Sequence, residues 1–198
     1  MSDNILVLYP TDPKAIVDDI KSLAKSLQRF GFLGEEYEWF GEIHYYPGSL
    51  FLKYITFLSS HKVIVINNPN TDPENAPRVD SWETAHISIP SPTPEPEFLG
   101  GVNVLPPRCP ECGYYYQGDI IELLNAWYIN KENFYWHCPR CGAAFSVCDL
   151  DWRLQGGFGR QQIQIWGIWA GEAKPSEHMY RLLEEITGFD WTYCYYHL

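Results

Sequence analysis

Residues 5–9, Ile5-Leu6-Val7-Leu8-Tyr9, form an unbroken apolar run, too short for a helix and without a polar face, which predicts a strand covered on both sides. The spacing then turns helical. Ile16, Ile20, Leu23, Leu27 and Phe30 recur at three- and four-residue steps and make one apolar stripe. Thr11 or Asp12 stands as N-cap with Pro13 near the first position, and Gly31-Phe32 closes the C-terminal end. Over residues 36–46 the period becomes two. Tyr37, Trp39, Ile43 and Tyr45 fall on one face of a half-buried strand, Glu36, Glu38, Glu42 and His44 on the other, and Gly41 marks a bulge. Ser49 is placed to cap a short helix with Phe51, Tyr54, Ile55 and Leu58 on one side, although its aromatic content also suits a strand. Residues 63–66 read as a buried strand and residues 67–78 as a loop. Residues 82–89 read as a further strand with Ala85, Ile87 and Ile89 inward.

Pro90, Pro92, Pro94 and Pro96 occupy every second position, which forces an extended arm. Beyond it, residues 114–124, 134–137 and 144–150 are the candidate hairpin strands, with a helical turn over 120–127 as the alternative for part of the first. The glycine-rich residues 155–159 read as a turn, and Ile163 and Ile165 alternate with Gln162 and Gln164 along a strand. Ser176 caps a second helix whose Met179, Leu182, Leu183 and Ile186 point inward and which Gly188 ends; Trp191, Tyr193 and Tyr195 alternate along a terminal strand. This order predicts an α+β fold, a mixed sheet with helices on one face plus a small metal-stapled module. The expected division is residues 1–89 as the first part of the α+β domain, 90–107 as a proline-rich linker, and 108–150 as the module. Residues 151–198 form a strand-helix-strand unit that joins the first sheet.

Composition adds chemistry chiefly through cysteine. Cys109-Pro110-Glu111-Cys112-Gly113 and Cys138-Pro139-Arg140-Cys141-Gly142 repeat one pattern, with 25 residues between Cys112 and Cys138. In each, proline presets the turn, two thiolates converge, and glycine supplies the positive φ that lets backbone N–H groups approach sulfur. Cys109, Cys112, Cys138 and Cys141 are thus the expected metal ligands. A closed set of four leaves no open coordination position, which indicates a structural ion rather than a Lewis acid. Two disulfides are the competing use of these cysteines, and paired C-x-x-C spacing favours the metal. Over residues 109–148 the knuckles and their spacer resemble a zinc ribbon, and CPECGYYY followed by WHCPRCGAAF is also similar to the knuckle pair of rubredoxins. The first resemblance implies two β-hairpin knuckles around Zn2+. The second implies iron in the same cage and one-electron transfer, but the large flanking regions favour zinc.

The net charge of −11 narrows the partners, because acidic residues outnumber basic ones within each of residues 1–107, 108–150 and 151–198. That balance weighs against nucleic acid, whose binding rests on neutralised phosphates, and suits a cationic protein. Eight Trp, 14 Tyr and 10 Phe supply the rings that dominate cores and binding hot spots. Residues 1–10 lack the features of a signal peptide and no stretch is apolar enough for a membrane span, so a cytoplasmic protein is expected. No catalytic motif stands out. His44 beside Glu42, His86, the pair Asp149 and Asp151, and the thiols Cys148 and Cys194 are the only seeds of an active site, and His137 is a candidate neighbour of the sulfur cage. The expected function is a cytosolic zinc-stabilised interaction module of adaptor, regulator or toxin-neutralising type. It would recognise a cationic protein through Glu36, Glu38, Glu42 and His44, the alternative being an enzyme whose active site lies outside the zinc.

Overall fold

The computed structural model describes residues 4–58, 85–102 and 104–197. The expected strand at 63–66, the loop at 67–78 and the start of the strand at 82–89 lie outside them. The described elements are β1 (Asn4–Pro10), α1 (Ile20–Arg29), β2 (Leu33–Trp39), β3 (Glu42–Pro47), α2 (Phe51–Tyr54), β4 (Ile55–Phe57), β5 (His86–Ser88), β6 (Glu97–Leu99), α3 (Ile120–Ile129), β7 (Tyr135–His137), β8 (Ala144–Ser146), β9 (Gly157–Gly159), β10 (Ile163–Trp166), β11 (Ala173–Pro175), α4 (Glu177–Thr187) and β12 (Trp191–His197).

Six strands form the main sheet in the order β12-β1-β10-β5-β3-β2. β1 is its second strand, buried along its whole length, as its continuous apolar run requires. The fold is α+β, with one correction: every described pairing in this sheet is antiparallel, so it is not mixed. β10 and β12 come from the last fifth of the chain and flank β1 on both sides in antiparallel sense, so no parallel crossover is needed.

One face of the sheet presents Leu6, Leu8, Tyr45, Ile87, Ile163, Ile165 and Tyr195 to α1, α2 and α4, which supply Leu23, Leu27, Phe51, Met179 and Leu183 to the same core. α4 is built as its sequence demands: the Ser176 hydroxyl accepts from the Met179 N–H, and Gly188 closes the helix at φ 74°. α1 starts later than its stripe suggests. Asp12 closes only a single turn, accepting from the backbone of Lys14 and Ala15, and the regular helix is capped by Asp19, whose carboxylate accepts from the Ser22 N–H at 2.9 Å. Its C-terminus follows the expected pattern, with Gly31 at φ 74° and the Phe32 N–H bonded to the Leu27 carbonyl.

Residues 36–46 depart from expectation in a way that matters for function. They are not one strand but a β2–β3 hairpin whose two-residue turn, Phe40-Gly41, has φ 49° and 81°. The turn shifts the parity of the second arm. Glu36 pairs with Tyr45 and Glu38 with Ile43, on the helix-bearing face, while Tyr37 pairs with His44 and Trp39 with Glu42 on the opposite face. The short helix expected after Ser49 is the single turn α2, and the chain then enters β4, which pairs with β11.

A second core joins the cysteine-bearing segment to the rest. Leu123 and Trp127 of α3, Val147, Leu150, Trp152 and Phe158 are buried together, with Phe98 from the proline arm packed on them. The expected strand over 114–124 is largely replaced by α3, because Asp119 accepts from the Ile121 N–H and starts a helix there. The proline arm ends in β6, which pairs with β9, so Gly157–Gly159 of the glycine-rich run are a buried strand rather than a turn. Two of its three glycines are required by rings: a Cβ on Gly157 would collide with the Tyr9 phenol, and one on Gly156 would press on Phe98.

Candidate metal centre and neighbouring surfaces

The two cysteine knuckles adopt one backbone design. The Cys109 N–H donates to the Tyr114 carbonyl and the Gly113 N–H to Cys109; the Cys138 N–H donates to Ala143 and the Gly142 N–H to Cys138. Gly113 and Gly142 take φ 70° and 77°, where an L side chain is strained, which explains both glycines. β7 and β8 carry the second knuckle between them.

The four sulfurs of Cys109, Cys112, Cys138 and Cys141 lie within 4.8 Å of one another. Cys109 and Cys141 Sγ are 3.7 Å apart and Cys112 and Cys138 Sγ 3.5 Å apart, and all six cysteines are free thiols. A tetrahedral ion with metal–sulfur bonds of about 2.3 Å places its sulfurs about 3.8 Å apart, so the set fits one ion. Burial pushes the Cys138 thiol up, but the backbone N–H groups of Cys141 and Arg140, helped by the Cys112 and Cys141 thiols, bring it down to about 7. Against the backbone N–H groups of Tyr114 and Ala143, the thiols of Cys112 and Cys141 are raised by burial and by their sulfur neighbours. His137 is exposed and outside this set.

The other expected site residues are dispersed or redirected. Glu36, Glu38 and Glu42 are exposed. His44, expected beside them on a solvated face, is only 2% exposed and lies on the face opposite Glu36 and Glu38, so its imidazole is not available to a partner there. The missed feature is Phe40, 90% exposed at the hairpin tip and held at positive φ. Its signal was an aromatic residue before Gly41, where a two-residue turn calls for Asn or Asp. Between the hairpin and α1 runs a groove of about 800 Å³ lined by Lys21, Lys25, Glu36, Ile43, Tyr45 and Ile89, among others.

His44 meets a residue from far along the chain. Its ring centroid is 5.1 Å from that of His86 on the neighbouring strand β5. Burial lowers the pKa of His44 from its ordinary value, opposed by the charge of Glu42. Asp151 does not pair with Asp149 but with Arg108, and it also accepts from the Arg153 N–H. Burial pushes the Cys148 thiol up to about 11 and the fully buried Cys194 thiol higher still, so both are protonated and poor nucleophiles at neutral pH. No described helix is long and apolar enough to cross a membrane. The chain matches no family model, no curated protein and no solved structure.

Proposed function

We propose that this chain is a zinc-stabilised protein-interaction module of the cytosol, of adaptor, regulator or toxin-neutralising type, which grips a basic protein with the β2–β3 hairpin. Phe40 carries this reading. A nearly fully exposed aromatic ring at φ 49° defies both solvation and local backbone preference, and such outliers persist where function needs them. Its ring lies 5.1 Å from that of Trp39, with the exposed Glu36 and Glu38 on one face of the hairpin and Glu42 on the other, which gives an aromatic tip between acidic side chains at the outer edge of the sheet. Phe40→Asn is expected to raise stability by roughly 1 kcal/mol by relieving the strain, yet to abolish capture of the partner from the native host. The double variant Glu36→Lys/Glu38→Lys should fold normally and weaken the same capture, as added salt should for the native chain. Undiminished capture by both folded variants would remove the hairpin from recognition.

Zinc is the proposed ion, in a zinc-ribbon-like site, because four thiolates in a tetrahedral cage suit it and structural use needs no redox chemistry. Elemental analysis should find about one equivalent of zinc per chain, lost when the cysteines are replaced. Iron with a visible charge-transfer absorbance would instead support electron transfer, and a metal-free, disulfide-bonded chain would defeat both. One observation favours the second reading, an enzyme with its centre elsewhere: the approach of His44 to His86.

A further inference from the structure

α1, α3 and α4 each turn toward solvent one ridge of side chains spaced four residues apart. On α1 that ridge is Lys21, Lys25 and Arg29, and on α4 it is Glu177, Arg181 and Glu185, charged and exposed throughout. On α3 the corresponding ridge is Ile121, Asn125 and Ile129, all exposed as well. We propose that this face of α3 is where a second copy of the chain docks, about a twofold axis that passes beside Asn125.

Ile121 is 68% and Ile129 86% exposed, with Tyr128 beside them at 42%, and Glu122 is the only charged residue of the helix. The opposite side is already covered, since Leu123 and Trp127 lie in the second core. A helix that is apolar on both sides is ordinarily buried on both. The patch is on the order of 300 Å², about the size at which an apolar patch on a monomer serves a function, and it falls short of the roughly 800 Å² per partner of a tight interface. The contact it supports is weak and depends on concentration.

Two observations select a second copy over an unrelated protein. The first is the symmetry of the ridge. A twofold contact must be self-complementary, and Ile121 and Ile129 stand at equal distance along the helix on either side of Asn125. Two α3 helices packed antiparallel about that point set each Ile121 against Ile129 of the other copy and bring the two Asn125 carboxamides together, where they hydrogen-bond to one another and fix the register. Antiparallel packing also lays opposite ends of the helix dipoles side by side. The second observation is charge. A net charge of −11 makes most surfaces of the chain repel another copy, whereas Glu122 lies to one side of the α3 ridge, so two acidic molecules can meet here without burying like charges. A cationic partner would find little on this face to pair with.

The test is sedimentation equilibrium of the full, zinc-loaded chain between about 1 µM and about 1 mM. The native chain should pass from monomer to dimer with a midpoint of roughly 0.1 mM. Ile129→Lys, Asn125→Asp and Asn125→Lys, at exposed positions that do not threaten folding, should each keep the metal and weaken association at least tenfold. Mixing the Asn125→Asp chain with the Asn125→Lys chain should restore the dimer as a mixed pair, which only contact of residue 125 with its own copy predicts. Phe40→Asn should leave the dimer intact, which separates this face from the hairpin. A native chain that stays monomeric to about 1 mM overturns the proposal. So does a dimer untouched by these substitutions, which would lie on another face, and so does failure of the mixed chains to pair. A monomeric native chain that loses a captured host protein on Ile129→Lys would assign the face to a different partner and equally overturn it.

Discussion

Cys138→Ser is expected to release the metal and melt residues 108–150 while the six-stranded sheet persists. Cys138 is 1% exposed, so the serine hydroxyl would sit in a pocket shaped for sulfur, and three thiols remain where four held the ion. Structural metal binding supplies on the order of 10–16 kcal/mol to small zinc-binding modules, as much as the total stability of a typical domain. Apart from the second core, the segment offers little else: β7 and β8 are three residues each, and α3 leaves Ile121 and Ile129 68% and 86% exposed. Amide hydrogen exchange should show lost protection in α3, β7 and β8 and retained protection in β1, β10 and β12. Loss of protection everywhere in one cooperative step would show that the two cores fold as one.

Phe158→Ala is the second large effect, and it reports on the joint between those cores. The Phe158 ring is 3% exposed and lies 4.7 Å from Trp127, 5.1 Å from Phe98 and 5.7 Å from Trp152. It therefore joins α3, the proline arm and the segment after the metal site on a strand that also leans against β1. Truncation to alanine removes the centre of this aromatic layer and should cost about 3–5 kcal/mol, lowering the melting temperature by roughly 6–20 °C for a chain of this length. Urea titration would measure it. A cost below about 1 kcal/mol would mean that neighbouring rings close over the gap and that the layer does not bind the two parts together.

What the sequence made legible was local. β1 announced itself by an apolar run, α4 by Ser176 and Gly188, and the metal cage by two knuckles whose every residue type has a stereochemical reason. The misreadings arose where one local rule hid another. Alternation over residues 36–46 suggested a single strand because a two-residue turn made of Phe40-Gly41 lacks the usual Asn-Gly signature, and the parity change it introduces moved His44 to the far face. The GGFG segment looked like a flexible turn because the reason for Gly156 and Gly157, the rings of Phe98 and Tyr9, lies far away in sequence. The approach of His86 to His44 depends on the β3–β5 pairing, a long-range contact that no short pattern encodes.

In each knuckle the first cysteine is buried and the second is not: Cys109 and Cys138 lie inside, Cys112 is half-buried and Cys141 exposed. The cage therefore has a front and a back, and exchange of its ion is a one-sided process. An incoming chelator or competing thiol meets Cys141 first, displaces it, and then works inward, while the rear sulfurs hold the ion until last. How fast this centre would exchange an ion is set by how readily that front sulfur opens, whereas its equilibrium occupancy is set by the affinity of the four together.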